Sequence, residues 1–95
     1  MKRAQQSGHA SEAVRRLDEV DVGSRVVVVG VDEQGDTRRR LLEMGFCNGV
    51  SVEVVRRAPL GDPVEFYLRG YYLSLRREQA RHVRVALDGR KAAVE

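Results

Sequence analysis

The sequence has little of what is typical of disulfide-bonded, membrane-spanning or secreted proteins. Its single cysteine cannot form a disulfide within the chain, which agrees with a reducing compartment. Tryptophan is absent, and no apolar run approaches the roughly 18 residues that a membrane-spanning helix needs. The first residues, MKRAQQSGHASEA, are basic at the start but lack the apolar centre of a secretory signal. We therefore expect a cytoplasmic protein.

The charge balance is basic, but both signs are present throughout the chain. Seventeen basic and 14 acidic residues give a net charge of +3, which favours nucleic-acid binding only weakly. With 33% charged and 42% hydrophobic residues, the 95-residue chain has the composition of one folded module. We expect a domain over residues 14–87, between a flexible polar tail at 1–13 and a second polar tail at 88–95.

Alternating apolar residues predict five short strands. They fall at 25–31, 50–57, 64–69, 71–76 and 82–87, and each has one apolar face. Before them, Val14, Leu17 and Val20 recur every three residues, which predicts a turn or short helical lead-in.

The stretch between the first two strands has the pattern of a short helix. Leu41, Leu42 and Met44 are its apolar residues, with charged residues between them. Asp36 is the predicted N-cap, and Gly45 is the predicted left-handed residue at the end of the helix. Three consecutive arginines at 38–40 crowd the positive end of the helix dipole, which marks this turn as a candidate partner-binding surface.

These elements predict a mainly β fold. The five strands are too small for two packed sheets and are expected to close on themselves as a small barrel. One short α-helix lies between the first and second strands, and a helical turn at 77–81 precedes the last strand.

The order of elements and several motifs resemble the FeoA family of bacterial ferrous-iron transport. The resemblance extends from about residue 14 to 87. The matching residues are Leu17 with Gly23 in the lead-in, RLLEMGF at 40–46, Gly49-Val50, Asp62-Pro63-Val64, GYYLSLR at 70–76, and Ala80 with Val83. It implies an SH3-like barrel and a non-enzymatic accessory role without a cofactor. It also implies binding to the cytoplasmic, GTPase-containing part of a FeoB-type permease, so that contact with the membrane is only indirect.

Side chains of the types that anchor interfaces define a candidate partner-binding set. Its members are Arg39, Arg40, Leu42, Met44, Phe46, Arg69, Tyr71 and Tyr72. No catalytic group is predicted. Exposed strand edges would also allow a homodimer.

The sequence is also compatible with two other functions. A basic barrel with exposed tyrosines could bind nucleic acid, although the resemblance implies no nucleic-acid partner. A metal-sensing module would use Cys47 and His82, but these two residues lack the spacing of a known metal site.

Overall fold

The computed structural model describes residues 14–32 and 34–88. The predicted tail at 1–13, and all of the predicted C-terminal tail except Asp88, lie outside the described residues. The elements are β1 (Arg15–Arg16), a 3-10 helix (Leu17–Glu19), β2 (Arg25–Val31), α1 (Gly35–Met44), β3 (Ser51–Arg57), β4 (Val64–Leu68), β5 (Tyr71–Leu75), α2 (Arg77–Ala80) and β6 (Val83–Leu87).

All strands belong to one antiparallel sheet of six, in the order β1-β6-β2-β3-β4-β5. The prediction of five strands was therefore wrong by one, and α1 lies between the second and third strands. The additional strand, β1, pairs Arg15 with Val85 and Arg16 with Arg84. It consists of two exposed arginines, so it carries no apolar alternation by which the sequence could reveal it.

The two ends of the sheet meet at α2 rather than at each other. Within residues 14–32 and 34–88, hydrogen bonding between strands runs from β1 to β5 and does not join those two edges. The short helix α2 contacts both β5 and the 3-10 helix that follows β1. The sheet is thus curled around one core, and α2 covers the gap where a closed barrel would have a further strand pair.

The core is built from the predicted inward positions of the strands, joined by residues from the helices and turns. Its buried members are Leu17, Val20, Val26, Val28, Val31, Leu41, Phe46, Val52, Val54, Val64, Phe66, Leu68, Leu75, Ala80, Val83 and Val85. Each fully buried Val, Leu or Phe stabilises the fold by about 1.5 to 3 kcal/mol. The alternation of the last strand, with Val83 and Val85 inward, predicts that Leu87 also faces the core, but it is exposed at the end of β6.

An ion-paired cluster around Asp32 fastens β1 to the rest of the sheet. The guanidinium groups of Arg16 and Arg84 both donate to the Asp32 carboxylate, Arg84 Nε at 2.5 Å from Oδ1. Arg16 also donates to the carbonyl oxygen of Arg81 at 3.1 Å. These contacts, with Arg16 making the largest contribution, hold the pKa of Asp32 below its ordinary value. Gly30 leaves room for the Arg84 guanidinium, which a Cβ at that position would meet.

We expect Asp32→Asn to lower stability at neutral pH by a small amount that disappears in acid. Because the pKa of Asp32 is lowered by folding, its carboxylate stabilises the fold above its unfolded pKa of about 3.9. That contribution is lost as the pH falls through the folded pKa. Urea unfolding of wild type and variant from neutral pH down to about pH 3 measures the difference. A difference that stays constant with pH would contradict the assignment, and Asp21→Asn, which removes an exposed carboxylate, is the matched control.

Candidate functional site

Helix α1 divides its side chains between the core and the surface. Leu41 is buried with 1% of its area exposed, whereas Leu42 and Met44 are half-buried and pack against the edge of the core. The three arginines at 38–40 are exposed. Leu42 therefore presents part of an apolar side chain at a surface that is otherwise basic.

The first turn of α1 differs from the prediction. The N-cap is Gln34, which makes no capping hydrogen bond with its side chain, so the prediction of Asp36 as N-cap was wrong. The helix begins at Gly35, two residues earlier than an N-cap at Asp36 would set it, which places Asp36 inside the first turn. There its carboxylate accepts a hydrogen bond from Arg39 at 2.5 Å, three residues further along the same face. The acidic Asp36 at the positive end of the helix dipole partly offsets the cost of the arginines.

One shallow groove lies along the exposed side of this helix. It is lined by Gln34, Gly35, Arg38, Arg39 and Leu42, and we call it the helix groove. In the described part of the chain Arg39 has Asp36 as its ion-pair partner, and Arg38 has none. The helix groove thus offers a half-exposed leucine beside two cationic side chains.

Arg40 points away from the helix groove. It lines a second, smaller depression between α1 and α2, together with Asp36, Thr37, Leu41 and Gln79. The predicted partner-binding arginines 39 and 40 therefore do not lie in one pocket, because adjacent residues on a helix diverge by about 100°.

The C-terminus of α1 abuts the hairpin between β4 and β5. The Tyr71 hydroxyl donates a hydrogen bond to the carbonyl oxygen of Met44. A Cβ built on Gly45 would lie 2.8 Å from the Tyr71 hydroxyl oxygen and 3.1 Å from Cδ of Arg69. The structure thus brings together Met44, Arg69 and Tyr71, three of the predicted site residues, and Arg69 lies near the negative end of the helix dipole. We call these three residues the hairpin junction.

Phe46 does not belong to any accessible surface, and its prediction as a partner-binding residue was wrong. Its ring is 0% exposed and contacts Phe66 edge to face, with the ring centroids 6.2 Å apart. The cause is its position directly after the left-handed residue Gly45, where the side chain turns back beneath the last helical turn.

Tyr72 lies on the opposite face of β5 from Tyr71. It is 62% exposed and stacks against Tyr67, its cross-strand neighbour, with centroids 4.7 Å apart. Tyr67 was not among the predicted site residues. The alternation of β4 places it on the outer face, and this could have indicated the pair once the register was known.

The two weak metal-ligand candidates are not part of a metal site in the described residues. Cys47 donates a long hydrogen bond of 3.6 Å from Sγ to the carbonyl oxygen of Leu42. His82 lies between α2 and β6. Within residues 14–32 and 34–88, no group of three or more His, Cys, Asp or Glu side chains could hold a metal ion. In the same ranges, no helix is both long enough and apolar enough to cross a membrane.

Comparison with known proteins places this fold in one family. The family model described as the FeoA domain matches residues 15–87. A protein of Porphyromonas gingivalis, the Fe(2+) transport protein A/Fe(2+) transporter FeoB fusion protein, is 46% identical over 72 residues. The matched segment is 76% of this chain but only 8% of that relative.

Solved structures agree with the sequence comparison. The FeoA-like protein from Clostridium acetobutylicum has a TM-score of 0.75 at 32% identity, covering 85% of this chain and 96% of that one. FeoA from Stenotrophomonas maltophilia, solved in complex with zinc and described as an SH3 domain protein, has a TM-score of 0.66 at 30% identity, covering 74% and 87%. The sequence and structure matches show that this chain belongs to the FeoA family, which the fusion protein links to ferrous-iron transport.

Proposed function

We propose that this protein is a non-enzymatic accessory protein of ferrous-iron uptake, which acts in the cytoplasm by binding the cytoplasmic region of a FeoB-type permease. The observation that carries the proposal is the fusion protein, in which a segment 46% identical to this chain is joined covalently to a FeoB transporter. Fusion holds two modules at a high effective concentration. A separate chain with the same task has to supply that proximity by binding.

The helix groove is the surface that best suits such a contact. Arg38 and Arg39 lie beside Leu42, so the groove combines an apolar anchor with guanidinium groups. Leucine packed in a groove loses water on binding, and arginine donates bidentate hydrogen bonds to carboxylates. The occupant that fits is an acidic segment with one apolar side chain.

The hairpin junction provides a second contact next to the end of the same helix. Tyr71 is 42% exposed and is fixed by its hydrogen bond to Met44, so little rotamer freedom remains for it to lose on binding. Arg69 is exposed beside it. Tyrosine and arginine are the residue types found most often at the energetic centres of interfaces.

Leu42→Gln is expected to weaken binding to the purified cytoplasmic region of a matching permease about tenfold or more, because it replaces an apolar anchor worth about 1.4 kcal/mol or more. Calorimetric titration in the nucleotide-free, GDP-bound and GTP-bound states measures the effect. The control is Leu60→Gln, which alters a leucine that is 96% exposed in the loop between β3 and β4, outside the helix groove, and should leave the affinity unchanged.

Two results would count against the proposal. Absence of saturable binding by the wild-type chain in every nucleotide state would remove the proposed partner. Equal loss of affinity in the Leu42 and Leu60 variants would retain the partner but reject the helix groove.

Arg38→Ala tests the basic part of the groove. Removing this guanidinium should reduce the salt dependence of binding.

A further inference from the structure

Strand β5 is the last strand of the sheet and has one unpaired edge. It pairs with β4 from Tyr71 opposite Leu68 to Leu75 opposite Val64. Across the described residues, no strand pairs with its other side. A free edge exposes a row of backbone donors and acceptors that can bind another strand.

The hairpin geometry fixes which backbone groups point to this free edge. The loop between β4 and β5 contains two residues, Arg69 and Gly70, with φ of 53° and 92°. In a two-residue hairpin the flanking pair, here Leu68 and Tyr71, exchanges both hydrogen bonds, and the next pair does not. The backbone groups of Tyr71, Leu73 and Leu75 therefore face β4. The backbone groups of Tyr72 and Ser74 point to the free edge. Neither residue has a backbone hydrogen bond to another part of the described chain.

Nothing in the composition of β5 protects this edge. The strand reads YYLSL, without a charged residue, a proline or a glycine. Natural proteins usually place such residues on exposed edges to prevent pairing. Tyr72 and Ser74 are exposed, so a second strand could approach them.

We propose that the free edge of β5 binds β5 of a second copy of this chain, antiparallel, about a two-fold axis at Leu73. Tyr72 then lies opposite Ser74 of the second copy, and Ser74 lies opposite Tyr72 of the second copy. Each of these two pairs exchanges two backbone hydrogen bonds. The N–H and carbonyl groups of Tyr72 and Ser74 on each strand therefore all gain a partner.

In other registers, fewer of these backbone groups find a hydrogen-bond partner. After a shift by one residue, backbone groups that point to the free edge lie opposite residues whose backbone groups point to β4. The shift also reverses which face of the sheet each side chain occupies in the second copy. Centring the axis on Tyr72 would place Ser74 opposite Gly70 in the turn. Centring it on Ser74 would place Tyr72 opposite Arg76, whose backbone N–H and carbonyl oxygen are already bonded within α2 by Gln79 and Ala80.

The side chains of the proposed register are complementary. On the outer face, the exposed ring of Tyr72 faces the small side chain of Ser74, which leaves space for it. In its own copy, Ser74 lies beside the Arg56–Glu65 ion pair. The aliphatic parts of these two side chains can cover the tyrosine ring of the other copy. On the inner face, two half-buried Leu73 side chains meet at the axis. A second copy supplies this match of large to small by symmetry, whereas an unrelated strand does so only by chance.

The test measures mass and amide exchange on the full chain over a range of concentrations. Sedimentation equilibrium is expected to show association to twice the chain mass. Hydrogen exchange followed by NMR should show protection of the Tyr72 and Ser74 amides that rises with concentration, while the Leu73 amide, bonded to β4 in either state, stays protected throughout.

Two variants separate edge pairing from loss of folding. Ser74→Pro removes an N–H that points to the free edge and has no bonding partner among residues 14–32 and 34–88, and proline is tolerated at such edges. Tyr72→Lys places an edge charge on the outer face without altering the backbone. Both are expected to remain folded by circular dichroism and to be monomeric at every concentration.

Three results would overturn the proposal. The first is a constant monomer mass with unprotected Tyr72 and Ser74 amides. The second is protection of these amides at monomer mass, since the occupant would then be another part of the same chain. The third is an unchanged dimer in both variants, which would place the interface elsewhere. The proposal does not depend on permease binding, because Ser74 lies outside the helix groove and Leu42→Gln should leave the dimer intact.

Discussion

Replacing Phe46 by alanine is expected to lower the free energy of unfolding by about 3 to 5 kcal/mol, the range for buried aromatic truncations. The ring is fully buried and contacts Phe66 edge to face, an arrangement that adds to the energy of burial. Its backbone N–H also donates to the carbonyl oxygen of Leu41 at 3.1 Å, which closes the last turn of α1. The side chain thus fastens the helix that carries the helix groove to the core.

Urea unfolding measures this effect, and a domain of this size has only about 5 to 15 kcal/mol of stability to lose. Leu60→Ala is the matched control, because it also truncates a large apolar side chain but one that is 96% exposed. Its effect should stay within about 0.5 kcal/mol. A loss below about 1 kcal/mol for Phe46→Ala would mean that the ring does not hold the helix in place.

The strands could be predicted because their local pattern and their burial agree. Between Arg25 and Val31, β-branched residues restrict the backbone to extended conformations, and the predicted bounds of this strand are those of β2. In the later strands, every second residue is apolar because one face packs on the core and the other faces water. The positions Val52, Val54, Val64 and Phe66 are accordingly buried.

What could not be predicted depends on contacts between residues far apart in the sequence. Strand β1 exists because Arg16 reaches Asp32 and the carbonyl oxygen of Arg81, which are 16 and 65 residues away. No periodicity records such a contact. The error at Asp36 has the same origin on a smaller scale, because a carboxylate suited to capping instead pairs with Arg39 one turn later.

The candidate site was predicted as one set of residues, but the structure distributes it over several places. The alternation of side chains along a strand puts Tyr71 and Tyr72 on opposite faces, and the structure adds that Tyr72 stacks against Tyr67. It could not show that Tyr71 reaches the carbonyl oxygen of Met44, 27 residues earlier. An aromatic residue beside exposed arginines suggested a surface role for Phe46, although the turn at Gly45 directs it inward.

Gly45→Ala is expected to be costly for two separate reasons, both located at the hairpin junction. Gly45 ends α1 with φ of 115°, a conformation that a residue with a Cβ adopts only with strain of about 1 to 3 kcal/mol. The added Cβ would also lie 2.8 Å from the Tyr71 hydroxyl oxygen, so that side chain would have to move. Its hydrogen bond to Met44 contributes about another 1 kcal/mol and would be lost.

Gly49→Ala separates the two causes, because Gly49 also has a positive φ, of 88°, but a Cβ there meets nothing within 4 Å. Both variants should lose stability in urea unfolding, and Gly45→Ala should lose about 1 kcal/mol more than the control. Tyr71→Phe removes the hydroxyl without adding a Cβ, so combining it with Gly45→Ala should cost less than the sum of the two single changes. If the double variant were additive, the contact between the helix end and the hairpin would not be the source of the extra cost.

The same contact holds Tyr71 and Arg69 beside α1, so Gly45→Ala should also weaken permease binding in chains that remain folded, whereas Gly49→Ala should not.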